Sequence, residues 1–472
     1  MTPTQDHPAD DEAADRAVVI GGSIAGLLAA RVLSETFPHV TVIDRDVMPA
    51  EPEHRKSVPH GRHTHGLLAK GFEIFEGLLP GFGEDLLARG ALVSDLQNSI
   101  VWYNEGHLLR RAPSDMAGLL ASRPLIESHV RRRVAALRQV EIRSGVHALG
   151  LTVDADQITG VRTDAGVLPA RLVVDATGRG NRGPAWLAEI GYPAPPQDVV
   201  KCDLIYCSRE YRRVPGAQDF LGVLVGRHPG NPYGAGSLAT EGGRWLVTLV
   251  GAGDDPPPVQ PGAFEEYAAR LDGPELHQMI TTAEPLGDPF RIRIGPSVRR
   301  RYERCERLPE GFVAVGDALC CVNPVYGQGM TTAAMAARWL GACLRSGPAD
   351  LTRRYFRGAA RVVDAAWDIS VGADLRFPQV AGARTRRGRA LNSYLSRLHR
   401  VAAVDPVVGA GFLKVANLLA GPQHLMSPTM LRRVLRKVGN PAEIALVRSS
   451  ASLSIGEHAV RVGGETQGRR AL

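Results

Sequence analysis

The chain of 472 residues has no uninterrupted apolar run of the roughly 18 residues that a membrane span needs. Its opening stretch, MTPTQDHPADDEAADR, lacks the apolar segment of a secretory leader. The acidic, Pro-containing composition there points to a disordered tail over 1–15, and the expected location is cytoplasmic, with no membrane span. Cysteine is scarce: six residues, at 202, 207, 305, 320, 321 and 343, none in C-x-x-C spacing. That argues against a disulfide framework and leaves buried thiols as the expectation. Lysine is scarcer, five of 56 basic residues, so the net charge of +7 is carried by arginine. Runs such as Arg131-Arg132-Arg133 and Arg299-Arg300-Arg301 lie apart and accompany no binding motif, so no nucleic-acid partner is expected. No internal repeat is present. The length exceeds what one hydrophobic core usually organises, which implies two or three domains.

What is present begins with VVIGGSIAGL at 18–27, a strand running into a glycine loop and an Ala/Leu-rich helix. Strand 16–20, helix 24–36 and strand 40–44 (VTVID) make a βαβ unit. The loop Gly21-Gly22-Ser23-Ile24-Ala25-Gly26 keeps the first and third glycines of a dinucleotide fingerprint and carries Ser23 at the second. Ser23 adds only a hydroxymethyl group, whose oxygen can donate to a phosphate, and the helix N-terminus aims free N–H groups at the same place. Asp44 closes the second strand 18 residues past Gly26, where an acidic residue binds a ribose hydroxyl. Further on, helices are predicted near 66–79 and over 123–137, and short strands over 140–175. The stretch 203–300 reads as a largely antiparallel sheet with Gly-rich turns, and the chain is mostly helical from 329 onward.

A second strand–loop–helix lies at 312–330, FVAVGDALCCVNPVYGQGM. Its strand ends at Gly316-Asp317, and Gly327-Gln328-Gly329-Met330 open an Ala-rich helix. A strand-end carboxylate can accept from sugar hydroxyls, and closely spaced backbone N–H groups can meet an electron-rich ring edge. Two nucleotide-facing sites some 290 residues apart imply one long cofactor, FAD.

The segments VVIGGSIAGLLAARVL, VTVIDRD, HRKSVPHGRHTHGLL, SRPLIE, VVDATGRGNRGPAWLAEIGYP and VGDALCCVNPVYGQGM together resemble the FAD-dependent monooxygenases of the para-hydroxybenzoate hydroxylase fold. The resemblance is greatest to actinobacterial polyether polyketide epoxidases and squalene epoxidase-like enzymes, and DAAWDISVGADLRFP matches only that subgroup. It implies an α/β chain with a Rossmann-like FAD-binding domain of the GR2 type from 16–199 with 304–345. An inserted antiparallel β-sheet substrate domain would span 200–303, and a C-terminal helical region 346–472. By the same resemblance, Gly21 to Gly26 wrap the pyrophosphate, Asp44 with its neighbour Arg45 serves the adenosine ribose, and Val146 meets adenine through its backbone. Arg123 reaches the pyrophosphate, and Arg55 and Arg62 lie in the loop beside the flavin. Asp317 holds the ribityl chain, and Pro324 with the backbone of 327–330 borders the flavin ring. The sequence departs from the family at Ser23, at Thr177-Gly178 in place of Asp-Gly, and at Asn181 in place of serine, which leaves the route of flavin reduction open.

The implied activity is transfer of one oxygen atom from a flavin C4a-hydroperoxide to a hydrophobic, electron-rich small molecule. O₂ is the oxidant, and NAD(P)H or a partner reductase the electron donor. Epoxidation of a polyketide or polyene in secondary metabolism is the leading expectation. Aromatic hydroxylation comes second, and alkene reduction of the geranylgeranyl reductase type third. The Trp-x-Trp-x-Ile-Pro motif of the halogenases is absent, and a nucleotide-sensing binding protein is the rival outside enzymology. No carboxylate or histidine is placed over the flavin by sequence alone, so no catalytic residue is assigned. Tyr326 either faces substrate or braces its loop. His63 and His65 lack a third metal ligand nearby and read as loop histidines near the flavin; no metal is expected. The vicinal pair Cys320-Cys321 reads as buried small side chains.

Overall fold

The structure is a computed structural model that describes residues 15–436. The acidic tail, apart from Asp15, lies outside the described residues, as does the C-terminal region beyond 436. Strand Arg16–Ile20, the fingerprint helix Ile24–Leu33 and strand His39–Asp44 form the expected βαβ unit. They belong to a five-stranded sheet in which every adjacent pair is parallel. Its order is Phe312–Ala314, Leu172–Asp175, Arg16–Ile20, His39–Asp44, Val140–Ser144. Four of the strands, AVVI, VTVID, LVVD and FVA, are apolar and buried along their length, as a sheet covered on both faces requires. The fingerprint helix and the helix Gly329–Arg345 cover one region of it, contributing Leu27, Leu28, Ala334, Ala337 and Leu340 to one core.

Glycine permits the turns where those elements meet. Gly21 has φ +111°, and a methyl there would strike the Ala176 carbonyl oxygen. Gly26 lies in the fingerprint helix, where a methyl would run into the Gly21 carbonyl oxygen. The third glycine of the fingerprint thus lets helix and loop close on each other.

A seven-stranded sheet forms a second layer, in the order Phe290–Ile294, Leu204–Arg212, Arg244–Ala252, Gly234–Thr240, Gly222–Val225, Ile100–Asn104, His107–Leu108. The substrate sheet expected over 200–303 therefore also takes two strands from the segment assigned to the FAD domain. Ile100–Asn104 joins because it pairs in parallel with Gly222–Val225, the one parallel contact in an otherwise antiparallel sheet. Along Arg244–Ala252, residues Trp245, Val247 and Leu249 pack on Phe264, Tyr267, Leu276 and Met279. The opposite face carries Thr248 and Val250, opposite Ser208 and Tyr206. Val250 and Tyr206 pack toward Val325 of the second glycine loop.

The C-terminal region is helical within the described residues: Leu351–Asp374, Arg386–Ala402, Pro406–Ala416 and Pro428–Leu435. Leu398, Val401, Val408 and Leu413 share a cluster with Ile100, Leu109, Leu120 and Leu238, so this region clamps the sheet. No described helix is long and apolar enough to cross a membrane.

Because backbone closes on backbone at Gly26, Gly26→Ala is expected to destabilise the protein by about 1–3 kcal/mol. Denaturant unfolding of the two proteins side by side measures this.

Candidate functional site

The two glycine loops meet. A methyl at Gly316 would come within 2.6 Å of the Ala25 Cβ and 3.9 Å of the Ala333 Cβ. Gly316, with φ +59°, therefore sits tight against the first turn of the fingerprint helix and within van der Waals reach of Ala333 near the start of helix Gly329–Arg345. Neither helix N-terminus is capped by a side chain, at Ser23 or at Gln328. Both offer N–H groups and a positive dipole end to the region beside Asp317. The Asp317 side chain is 32% exposed, so its carboxylate lines a partly open recess. Burial raises its pKa, while Arg179, Arg123 and Arg300 act in the opposite sense. Arg179 Nε lies 3.6 Å from Asp317 Oδ2, and Arg179 Nη2 donates to the Val322 carbonyl at 2.8 Å.

Beside the fingerprint loop, Glu127 joins two arginines. Arg55 Nη1 donates to Glu127 Oε1 at 2.7 Å, and Arg123 Nη2 donates to Glu127 Oε2 at 3.0 Å. The Ser23 hydroxyl donates to Glu127 Oε2 at 2.6 Å and accepts from Arg123 Nη2 at 2.8 Å. The hydroxyl expected to reach phosphate thus ties the loop to the helix Arg123–Ala135, whose N-cap is Ser122. Glu127 was not singled out by sequence, although it stands four residues after Arg123 inside SRPLIE, the spacing of a helical ion pair.

Asp44 is committed in the same way. Its Oδ2 accepts from the Gly22 N–H at 2.8 Å and pairs with Arg55 Nη2 at 2.7 Å, and Oδ1 accepts from the Asp46 N–H at 2.8 Å. Arg55 therefore sits at the fingerprint end of the site. Arg62 lies apart from it, stacked over the Phe290 ring of the seven-stranded sheet at 4.9 Å. Arg45 is exposed. Val146 follows strand Val140–Ser144, and its N–H is spent on the Asp44 carbonyl at 3.0 Å. Pro324 opens a 3₁₀ turn, Gly327 adopts φ +67°, and Gly329 and Met330 begin the helix. Thr177 donates to Asp175 through its N–H and hydroxyl, and Asn181 donates to the other oxygen of Asp175 at 2.7 Å. Two of the three departures from the family pattern, at Thr177 and Asn181, thus serve one fully buried carboxylate, whose pKa burial raises.

On the sheet side, His63 Nδ1 contacts the Ser208 hydroxyl at 2.7 Å, and Ser208 contacts Thr248 at 2.6 Å. Burial, followed by repulsion from His65 and His54, brings the His63 pKa down to about 3. Burial and Arg123 bring His65 down to about 4, so both rings are neutral at physiological pH. Among the described residues no group of three or more His, Cys, Asp or Glu could hold a metal ion. Cys320 and Cys321 pair with Arg299 and Val298 in a short strand, and burial raises both thiol pKa values. The Tyr326 hydroxyl donates to Asp374 Oδ1 at 3.1 Å.

Residues around the two loops fit FAD by their chemistry. Uncapped N–H groups and two arginines stand at the fingerprint loop, where a pyrophosphate would be favoured, and Asp317 offers acceptors to hydroxyls. Space lies open at Gly178 and Gly329, where a side chain would meet no atom within 4 Å.

Burial acts to raise the Glu127 pKa, but Arg123, Arg55 and Ser23 outweigh it and hold the carboxyl below its ordinary range. A depressed folded pKa adds stability above the unfolded value, and that stability is lost as pH falls through the folded one. Glu127→Gln is expected to lower stability at neutral pH by about 3–5 kcal/mol, because Arg123 is left buried without its partner. The same variant flattens the acid limb of the stability profile, measured by denaturant unfolding at neutral and mildly acidic pH.

No family model matches the chain. Solved structures share its fold at low identity. PqsL from Pseudomonas aeruginosa, described as a probable FAD-dependent monooxygenase, superposes with a TM-score of 0.58 at 19% identity, covering 77% of this chain and 97% of that one. The flavin-dependent brominase Bmp2 gives 0.56 at 15%, covering 93% and 100%. A flavoprotein/dehydrogenase from Cytophaga hutchinsonii gives 0.63 at 14%, with the same coverage. The fold, a parallel Rossmann-like sheet with an added antiparallel sheet and C-terminal helices, is thus shared with flavin-dependent proteins. In sequence, Protein Rv3254 of Mycobacterium tuberculosis (strain ATCC 25618 / H37Rv) is 33% identical over 444 residues, 89% of this chain and 93% of that protein, and the chain belongs to its family.

Proposed function

We propose that the protein is an FAD-dependent monooxygenase that transfers one oxygen atom from O₂ to an electron-rich small molecule. The observation that carries this reading is the convergence at Gly316 of two uncapped helix N-termini, with Asp317 in the recess between them. FAD, when bound, supplies electrons taken from NAD(P)H or a partner reductase and activates O₂ with them. The chain's own residues bind and orient. Arg123, with Ser23 and the N–H groups of the fingerprint helix, would hold the pyrophosphate. Binding there requires Arg123 to share or exchange its contact with Glu127. Asp317 would accept hydrogen bonds from the ribityl hydroxyls. The N-terminus of helix Gly329–Arg345 would stabilise negative charge on the ring edge.

Substrate would bind where the second glycine loop meets the sheet face of Tyr206, Ser208, Thr248 and Val250. Val325, Tyr206 and Val250 make part of that wall apolar, which suits a hydrophobic substrate and excludes water from the reacting oxygen. Epoxidation of an alkene in a polyketide or polyene follows from the sequence resemblance. Hydroxylation of a phenol or enol is the second reading, and a specific observation favours it: Asp374, Tyr326 and Arg227 put polar chemistry on the same side. PqsL has been solved with 2-aminobenzoylacetate bound. Halogenation, the activity in Bmp2's name, lacks its sequence motif here.

Purified protein offered FAD is expected to show the flavin visible band. Arg123→Ala is expected to weaken FAD binding about 10- to 100-fold, the worth of one charge-assisted hydrogen bond. Reduction without air, then labelled O₂ in the presence of candidate polyenes and phenols, is expected to place the label in product. A colourless protein defeats the cofactor reading; product oxygen drawn only from water defeats oxygen transfer.

A further inference from the structure

The part of the chain that follows the long helix Leu351–Asp374 carries charge of one sign. Residues 375–436 hold eleven arginines and lysines against a single acid, Asp405, while the whole chain nets only +7. The rest of the protein is therefore slightly acidic, and its basic character is gathered in this one region. Asp405 is itself paired with Arg433 at 2.7 Å. Arg384, Arg386, Arg387, Arg389, Arg397 and Arg436 are exposed. Like charges gathered this closely repel one another, so folding gains nothing by collecting them.

Helix geometry sets exposed apolar side chains among these arginines. Helices Arg386–Ala402 and Pro428–Leu435 turn Leu398, Val401, Met430 and Val434 inward, to the cluster that clamps the seven-stranded sheet. They are joined along a seam. The Tyr394 hydroxyl donates to the Leu425 carbonyl at 2.5 Å, and Arg397 donates to the Val434 carbonyl at 2.7 Å and the Leu435 carbonyl at 3.0 Å. Leu391 stands one turn before Tyr394, and Arg387 one turn before Leu391, so the three share a helix face. Met426 adjoins Leu425, and Leu435 and Arg436 adjoin Arg397. Leu391, Met426 and Leu435 are 46%, 47% and 58% exposed. Three apolar side chains thus project along one seam whose rim is cationic.

That combination selects among occupants. A purely acidic partner would satisfy the arginines and leave the apolar side chains in water. The surface of an anionic bilayer takes both. Its phosphates meet guanidinium groups, whose aliphatic stems can lie along apolar neighbours, and its headgroup layer accepts apolar side chains that project singly. No described helix can cross a membrane, so such attachment is peripheral.

We propose that the outer face of helices Arg386–Ala402 and Pro428–Leu435 is a docking surface for membranes rich in anionic phospholipid. The arginines supply the attraction, and Leu391, Met426 and Leu435 enter the headgroup layer. The clamp on the seven-stranded sheet would then face a reservoir of apolar molecules. The inference requires no cofactor, so it stands or falls apart from the proposed function.

The test sediments the full-length protein with phosphatidylcholine vesicles containing about one-third phosphatidylglycerol, and with vesicles of phosphatidylcholine alone. Binding is expected to the first at low salt and not to the second, with release as salt approaches about 1 M and screening shortens to a few ångströms. Replacing three arginines together, Arg386→Gln, Arg387→Gln and Arg389→Gln, is expected to weaken binding about 100-fold. Leu391→Ser combined with Leu435→Ser is expected to weaken it about tenfold and to leave its salt dependence unchanged. All five positions are exposed, so an unaltered denaturant midpoint in each variant reports an intact fold. Equal binding to both vesicle types, binding to neither, or either variant binding as well as the unsubstituted protein overturns the proposal. Capture by soluble polyaspartate without binding to the anionic vesicles also overturns it, and assigns the arginines to an acidic protein instead.

Discussion

The structure depends on a close approach that only glycine permits. Gly316 follows the parallel-sheet strand Phe312–Ala314 and presses on Ala25 while coming near Ala333, residues of two helices that begin 305 positions apart, at Ile24 and Gly329. Any side chain at 316 would push one helix away and separate the two sets of N–H groups. Gly21 and Gly26 impose the same constraint within the fingerprint loop, where a methyl would strike backbone rather than a yielding side chain. Alanine at Ala25 and Ala333 continues the theme, since small residues set how near the helices come to the strand. The recess beside Asp317 is therefore a product of packing before it is a matter of charge.

Charge then tightens the loop. Glu127 receives Arg55, Arg123 and Ser23, and Arg55 also reaches Asp44. The network joins the fingerprint loop, the end of the second strand, the 54–68 loop and the helix Arg123–Ala135. Buried ion pairs seldom stabilise a fold more than well-packed apolar groups, so their value here is positional. They hold two guanidinium groups beside a helix N-terminus where an anion is favoured. Because Asp44 and Glu127 already pair with these arginines, a pyrophosphate arriving there would have to exchange partners with them.

The parallel sheet, the fingerprint turn and the second loop were readable in the sequence because each depends on local pattern. Apolar strands, glycines at fixed offsets and a strand-end acid are contiguous signals. Placement of single side chains was not readable when it depended on distant elements. Arg62 and Arg55 lie in one loop, yet Arg62 stacks on Phe290 while Arg55 pairs with Asp44 and Glu127, and nothing within 54–68 foretells the divergence. Likewise Ile100–Asn104 joins the second sheet through pairing with Gly222–Val225, more than a hundred residues away. Glu127 lay within reach of sequence reasoning, since its spacing from Arg123 is that of neighbours on one helix face. Asp374 did not, because its partners come from the 202–206 segment, residue 227 and the second loop.

Asp374 also runs against three local preferences at once. It ends a helix of 24 residues, where the dipole disfavours negative charge. It is buried, which disfavours charge again, and it lacks the cationic contact that would offset burial. A carboxyl serving only as a structural anchor for Asn323 and Tyr326 would hold them as well from an amide, without any of these costs. Each of these features brings the protonated and ionised forms of the carboxyl closer in energy. Positions where sequence breaks local rules without a packing benefit are where function is sought first. By that criterion the C-terminal end of the long helix is one place where this chain departs from what folding alone demands.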